Sequence, residues 1–145
     1  MTFHDLPSGR ASELDLSDHT HAADVIDLIT MESDRHLGCV TAMLCDADDR
    51  GVQPVSFNDI VSGTSSDAMV RLLDLVLPVL KEVGGSILMA RGRPGPLRPT
   101  DEDRTWHEQA IERCRSEGVR LLGFHVATPD GVQRLPDPLE ACDVA

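Results

Sequence analysis

The chemistry of this chain is concentrated between Arg91 and Asp103, in the run RGRPGPLRPTDED. Arg91, Arg93 and Arg98 bring three guanidinium groups close together. Thr100 with Asp103 three places on has the spacing of a capping box, with Asp where Glu or Gln is usual. A guanidinium is a permanently charged fork of donors that matches carboxylates and phosphates. At the positive end of a helix dipole, such groups suit two arrangements. They could converge on a small anion or a nucleotide phosphate, helped by backbone N–H groups. Alternatively they could pair internally with Asp46, Asp101, Glu102 or Asp103. Thr100 and Asp103 need no ligand to account for them, since a helix cap contributes on the order of 1 kcal/mol. The candidate anion site is therefore Arg91, Arg93, Arg98, Thr100 and Asp103.

Other constellations are thinner. His19-Thr-His21 is the one His-x-His, and it could supply two metal ligands if the N-terminal arm folded back towards Asp103. Exposed histidines beside a helix cap are the plainer explanation. His107 and His125 stand singly, without a third partner at ligand spacing. Cys39, Cys45, Cys114 and Cys142 form no C-x-x-C pair and read as reduced thiols, best placed in a core. There is no G-x-S-x-G, no Walker A and no G-x-G-x-x-G, and no Ser or Cys is placed beside a His as an activated nucleophile. No catalytic residue, metal site or cofactor is expected.

The elements that must position the arginines can be read on either side of them. Ser86 to Ala90 suits a buried strand. Arg91 to Pro99 is expected to be irregular, because Pro94, Pro96 and Pro99 each remove a backbone donor. Asp101 to Ser116 follows as a helix, with Trp106, Ala110 and Cys114 on its inner face and Gly118 ending it. Upstream, Ser17, Asp18 and Thr20 offer caps for a helix over Ala22 to Met31. Gly38 to Cys45 and Val52 to Phe57 flank the turn DADDRG and read as an antiparallel hairpin. The SGTSS turn at Ser62 to Ser66 leads into a helix over Asp67 to Val83, closed by Gly84-Gly85. Pro78 should bend that helix or split it in two. Arg120 to Ala127 is a strand, and Val132 to Leu135 a short return strand after the Thr128-Pro-Asp-Gly turn. This order predicts a three-layer α/β domain over 19–136, a mixed β-sheet with flanking helices. Residues 1–18 read as a flexible lead-in and 137–145 as a frayed acidic tail.

Composition narrows the partners. The chain has 145 residues, enough for one domain with a real core, and no apolar run approaches the ~18 residues of a membrane span. Thirteen basic against 25 acidic residues leave a net charge of -12, which repels nucleic acid and anionic membranes. Aromatic residues are 3%, with no Tyr, so a base-stacking surface has little to build from. The opening residues lack the basic-then-apolar pattern of a signal peptide, which points to the cytoplasm. The Asp67 to Val83 helix is apolar on most sides, so it is expected to be largely buried or to be covered by a second copy in a homo-oligomer.

The span from Gly38 to Gln133 resembles the JAB/MPN metalloprotease-like family, and within it the RadC-type branch. CVTAMLCDADDRGVQPV is similar to that branch's strand, Asp-rich turn and returning strand. IVSGTSSDAMVRLLDLVLPVL is similar to its Ser-x-Gly-Thr turn and long helix. GGSILMARGRPGPLRPTDED stands where the family has a strand, His-Asn-His-Pro-Ser-Gly and a Pro-Ser-x-x-Asp helix start, with a loop one residue shorter. GVRLLGFHVATPDG is similar to the closing strand, where Leu-Asp-His is usual. The resemblance implies a cytidine-deaminase-like architecture, with zinc held by the two histidines of His-x-His and the Asp of Ser-x-x-Asp. Arg91 and Arg93 occupy those histidine positions, while Thr100 and Asp103 match the Ser and the ligand Asp. The family's upstream glutamate has no counterpart on the strand beginning at Gly38. A guanidinium has no lone pair for zinc. The resemblance thus implies a non-catalytic scaffold, an interaction or regulatory module with an unidentified protein partner. Its rivals are a small-anion or nucleotide binder at Arg91 and Arg93, and a hydrolase with ligands relocated to His19, His21 and Asp103.

Overall fold

Apolar runs, caps and turn residues set most of the chain's elements. The structure, a computed structural model, describes residues 14–58 and 66–136. In chain order it contains α1 (His19–Ile29), α2 (Glu32–Leu37), β1 (Cys39–Cys45), β2 (Gly51–Asn58), α3 (Asp67–Val83), β3 (Ser86–Gly92), α4 (Asp101–Glu117), β4 (Arg120–Thr128) and β5 (Gly131–Arg134). The strands form one five-stranded sheet in the order β2-β1-β3-β4-β5. β1 runs antiparallel to both β2 and β3, β3 and β4 are parallel, and β5 returns antiparallel to β4. The mixed sheet with flanking helices is the arrangement the element order predicts.

Successive side chains of a strand point to opposite faces, and this divides the core in two. Val40, Ala42, Ile87, Met89, Phe124 and Val126 meet Leu72, Leu73 and Leu77 of α3 and Trp106 and Ala110 of α4. Met43, Cys45, Leu88 and Ala90 meet Ala22, Val25 and Ile26 of α1, together with Leu16. Helices therefore cover both faces, and β3, at the centre, is buried along its whole length. Cys39, Cys45 and Cys114 are buried free thiols, as a core reading requires; Cys142 lies outside the described residues.

Several boundaries differ from those predicted. α1 starts at His19 rather than Ala22, because Asp18 caps it by accepting from the Thr20 amide at 2.9 Å and the His21 amide at 3.3 Å. It stops at Ile29, and a second helix, α2, occupies what reads in sequence as a connection. No side chain caps α2. Arg35 fastens it instead, donating to the Thr30 carbonyl at 2.8 Å, the Thr128 carbonyl at 3.1 Å and Asp27 Oδ1 at 2.9 Å. α3 runs unbroken through Pro78, whose ring faces solvent while Leu73, Leu77 and Leu80 stay packed on either side of it. The carbonyl that Pro78 leaves without a helical donor belongs to the exposed Asp74, where water can satisfy it. Residues 14–18 of the expected lead-in are placed: Asp15 bridges to Arg50, and the Leu16 amide donates to the Asp49 carbonyl at 2.9 Å. Of the SGTSS turn only Ser66 is described, and 137–145 lie outside the described residues.

Candidate functional site

The arginine loop departs from expectation at its first two residues. β3 continues through Arg91 and Gly92, since Arg91 is paired with Val40 on one side and Val126 on the other. Arg93 prolongs the ladder, its backbone amide donating a hydrogen bond to the Ala127 carbonyl at 3.0 Å. Parity then decides where the side chains go. Arg91 and Arg93 fall in step with Ile87 and Met89, on the face covered by α4. Asp103, on the first turn of α4, meets them there.

Asp103 is wholly buried, and its two oxygens take four donors. Oδ1 accepts from Arg91 Nη1 at 2.9 Å and Arg93 Nε at 3.0 Å. Oδ2 accepts from Arg93 Nη2 at 2.7 Å and the Thr100 amide at 2.8 Å. The Asp103 amide returns a bond to Thr100 Oγ1 at 3.1 Å, which completes the capping box. Burial works against the charged carboxylate. The bonds from Arg93 and Thr100, with the charges of Arg93 and Arg91, outweigh it and hold the carboxyl below its usual range.

Both guanidinium groups make further contacts. Arg91 Nη2 donates to Glu102 Oε1 at 2.9 Å, and its Cζ lies 4.3 Å from the centroid of the Trp106 ring, a cation–π contact. Arg93 Nη1 donates to the carbonyls of Pro94 at 3.1 Å and Pro96 at 2.8 Å, and Nη2 also reaches the Arg98 carbonyl at 3.1 Å. All five donors of Arg93 are thus used. The proline-rich loop curls around this side chain because its carbonyls have no strand partner and turn inward. Two cations and two carboxylates close the charge of the cluster without a ligand. Arg98 is exposed, and it joins the cluster through its backbone carbonyl.

The donor set does not fit zinc. Two protonated guanidinium groups occupy both oxygens of Asp103, the carboxylate that the resemblance would make a ligand. His19 and His21 sit on α1, which packs on the opposite face of the sheet, so the structure does not bring them to Asp103. Among the described residues, no three or more His, Cys, Asp or Glu side chains are grouped to hold a metal. His107 is buried and stacks on Phe124, ring centroids 5.3 Å apart. His125 is buried under α1, with Nδ1 3.3 Å from the Met89 carbonyl, and burial is the main cause that pushes its pKa down to about 4. Burial pushes the thiols of Cys39, Cys45 and Cys114 up to about 12, which suits packing rather than reactivity.

A cleft of about 300 Å³ opens beside the arginine loop, lined by Pro99, Arg104, His107, Glu108, Leu135 and Pro136. Another, of about 340 Å³, lies next to Arg35 and includes Asp27, Thr30 and Glu32. Sequence reasoning passed over Arg35 altogether and took Trp106 as core alone. Trp106 stands three residues after Asp103, on the same helix face, and that spacing could have flagged it as a platform for an arginine. Compared with known families, the chain matches no family model, and compared with curated proteins it matches none.

Proposed function

We propose that this chain is a JAB/MPN-like domain of the RadC-like kind whose metal centre has given way to an internal ion cluster. It acts as a protein-interaction or regulatory module rather than as a hydrolase. The observation that carries this reading is the closure of Arg91 and Arg93 on both oxygens of Asp103. The order of elements supports it: a hairpin, a long helix, a strand ending in the arginine loop, a capped helix and a closing strand follow as the resemblance implies. Binding of a small anion at Arg93 would require it to displace Asp103 or a loop carbonyl from donors they already satisfy, and at Arg91 it would compete with the charges of Asp103 and Glu102.

The test is metal analysis of protein purified without chelators, combined with thermal melts in the presence of zinc, inorganic phosphate and a nucleoside triphosphate. The expected result is no stoichiometric metal and no rise in melting temperature with any of the three. Stoichiometric zinc would overturn the reading in favour of a metallohydrolase. A rise of several degrees with phosphate or nucleotide would overturn it in favour of an anion binder, because a ligand that binds only the folded state stabilises it by mass action.

A further inference from the structure

The solvent face of α3 (Asp67–Val83) carries apolar side chains that no described residue covers. Leu75, Val79 and Val83 are 67%, 61% and 60% exposed. At 100° per residue, Arg71, Leu75, Pro78 and Glu82 fall within about 60° of arc, a single stripe along the exposed side. All four are exposed. The charged residues of α3 that lean towards α4 are already paired: Asp74 with Arg113 at 2.7 Å, and Lys81 with Glu117 at 3.9 Å. Arg71 and Glu82, at the two ends of the outward stripe, form no ion pair among the described residues.

The stripe complements itself. Arg71 and Glu82 share a midpoint between residues 76 and 77, and so do Leu75 and Pro78. Two such helices laid antiparallel about that midpoint therefore set Arg71 of each against Glu82 of the other, and Leu75 of each against Pro78 of the other. The two-fold axis also brings Val79 of both helices to the same side of the seam, about 7–8 Å apart along the helix direction, with Val83 of each helix out towards the ends. Arg71 and Glu82 are eleven residues apart, about 16 Å along the helix, too far to satisfy each other within one chain.

We infer that the partner is a second copy of this chain, docked antiparallel through the Arg71-Leu75-Pro78-Glu82 stripe of α3 in a two-fold dimer. This rests on the reading of the chain as an interaction module, and it names the partner. The apolar positions supply the affinity. The exposed ion pairs set direction and register, because rim charges contribute little net energy but like charges placed opposite one another repel. A parallel pair would place arginine on arginine and glutamate on glutamate.

The test is sedimentation equilibrium of the whole chain from about 1 µM to about 1 mM, the range of a weak reversible dimer, at physiological salt to screen the net charge. Wild type should dimerise. Arg71→Glu and Glu82→Arg should each weaken the dimer by about tenfold or more, through two like-charge contacts apiece. The double variant carrying both changes should recover most of that loss, since its reversed charges again oppose, and Leu75→Glu should leave a monomer. Melting curves establish that each variant folds. A wild type that stays monomeric across the range overturns the proposal and leaves the stripe to a different partner. A dimer indifferent to Leu75→Glu, or a double variant no tighter than the singles, also overturns it. Metal content measured on the same samples separates the two claims: a zinc-free monomer defeats only the dimer, and a zinc-loaded dimer defeats only the metal-free reading.

Discussion

Replacing Asp103 with Asn tests the ion cluster most directly. The substitution keeps the shape of the side chain and removes its charge. Of the four donors that Asp103 now accepts, Arg91 Nη1 points at Oδ1, Arg93 Nη2 and the Thr100 amide point at Oδ2, and Arg93 Nε is shared between the two oxygens. An amide retains one oxygen and presents an NH₂ group to the donors on the other side, so at least one hydrogen bond is lost and donor faces donor. Arg91 and Arg93 are then left as buried cations with only Glu102, itself partly exposed, to balance them. Removing one partner of a buried ion pair costs about 3–5 kcal/mol, a large share of the total stability of a domain this size. At about 3 °C per kcal/mol, the melting temperature should fall by roughly 9–15 °C. The measurement is thermal unfolding followed by circular dichroism, with reversibility checked and no ligand present. A fall of less than about 2 °C would show that the two guanidinium groups do not depend on Asp103 and would refute the cluster as described. If phosphate restored the variant but had no effect on the wild type, the cluster would stand as a site that an anion can fill only once its own carboxylate is gone.

The remaining predictions concern the residues around it. Arg93→Lys keeps the charge but gives up the five-donor fork, so it should cost about 2 kcal/mol by urea unfolding, whereas Arg98→Ala, at an exposed position, should stay within about 0.5 kcal/mol. His125 is held neutral in the folded state, with a pKa of about 4 against an ordinary 6.5. The unfolded chain therefore binds the extra proton first as pH falls, and stability should drop by about 3 kcal/mol between pH 6.5 and pH 4. His125→Gln should flatten that limb, and an unchanged slope in the variant would move the cause elsewhere. Asp103 acts at lower pH, since a carboxyl with a depressed pKa loses its contribution only as pH falls through and below the ordinary carboxylate range. Gly92→Ala would set a Cβ 2.4 Å from Cys39 Sγ and should cost about 1–3 kcal/mol, most of it recovered by adding Cys39→Ala. Failure of that second change to restore the urea midpoint would place the strain in the backbone instead.

What could be read from the sequence was what local chemistry decides. The cap at Thr100, the turn at Asp46, the left-handed glycines that close α3 and α4, and the pairing of the two strands that flank that turn all depend on residues a few positions apart, and each is where the pattern puts it. α2 escaped because its determinant is remote: Arg35 reaches the Thr128 carbonyl, 93 residues along the chain. The end of β3 escaped for the same reason, because a strand stops where its neighbours on both sides stop.

The site was half legible, and the division has a physical cause. That the arginines and acidic residues would lie close together follows from their spacing around a strand end and a helix cap. Whether the guanidinium groups face outward to a ligand or inward to Asp103 depends on strand parity. Parity is invisible in SILMARG, because both faces of β3 are buried and the apolar run does not alternate. The inward choice becomes legible only once charge is balanced. Arg91 and Arg93 buried together without partners would be prohibitively costly, and Asp103 on the first turn of α4 is, among the described residues, the one carboxylate that both reach. Burial and pairing therefore imply each other here: the face that hides the arginines has to hold their counter-charge, and Asp103 on the first turn of α4 supplies it.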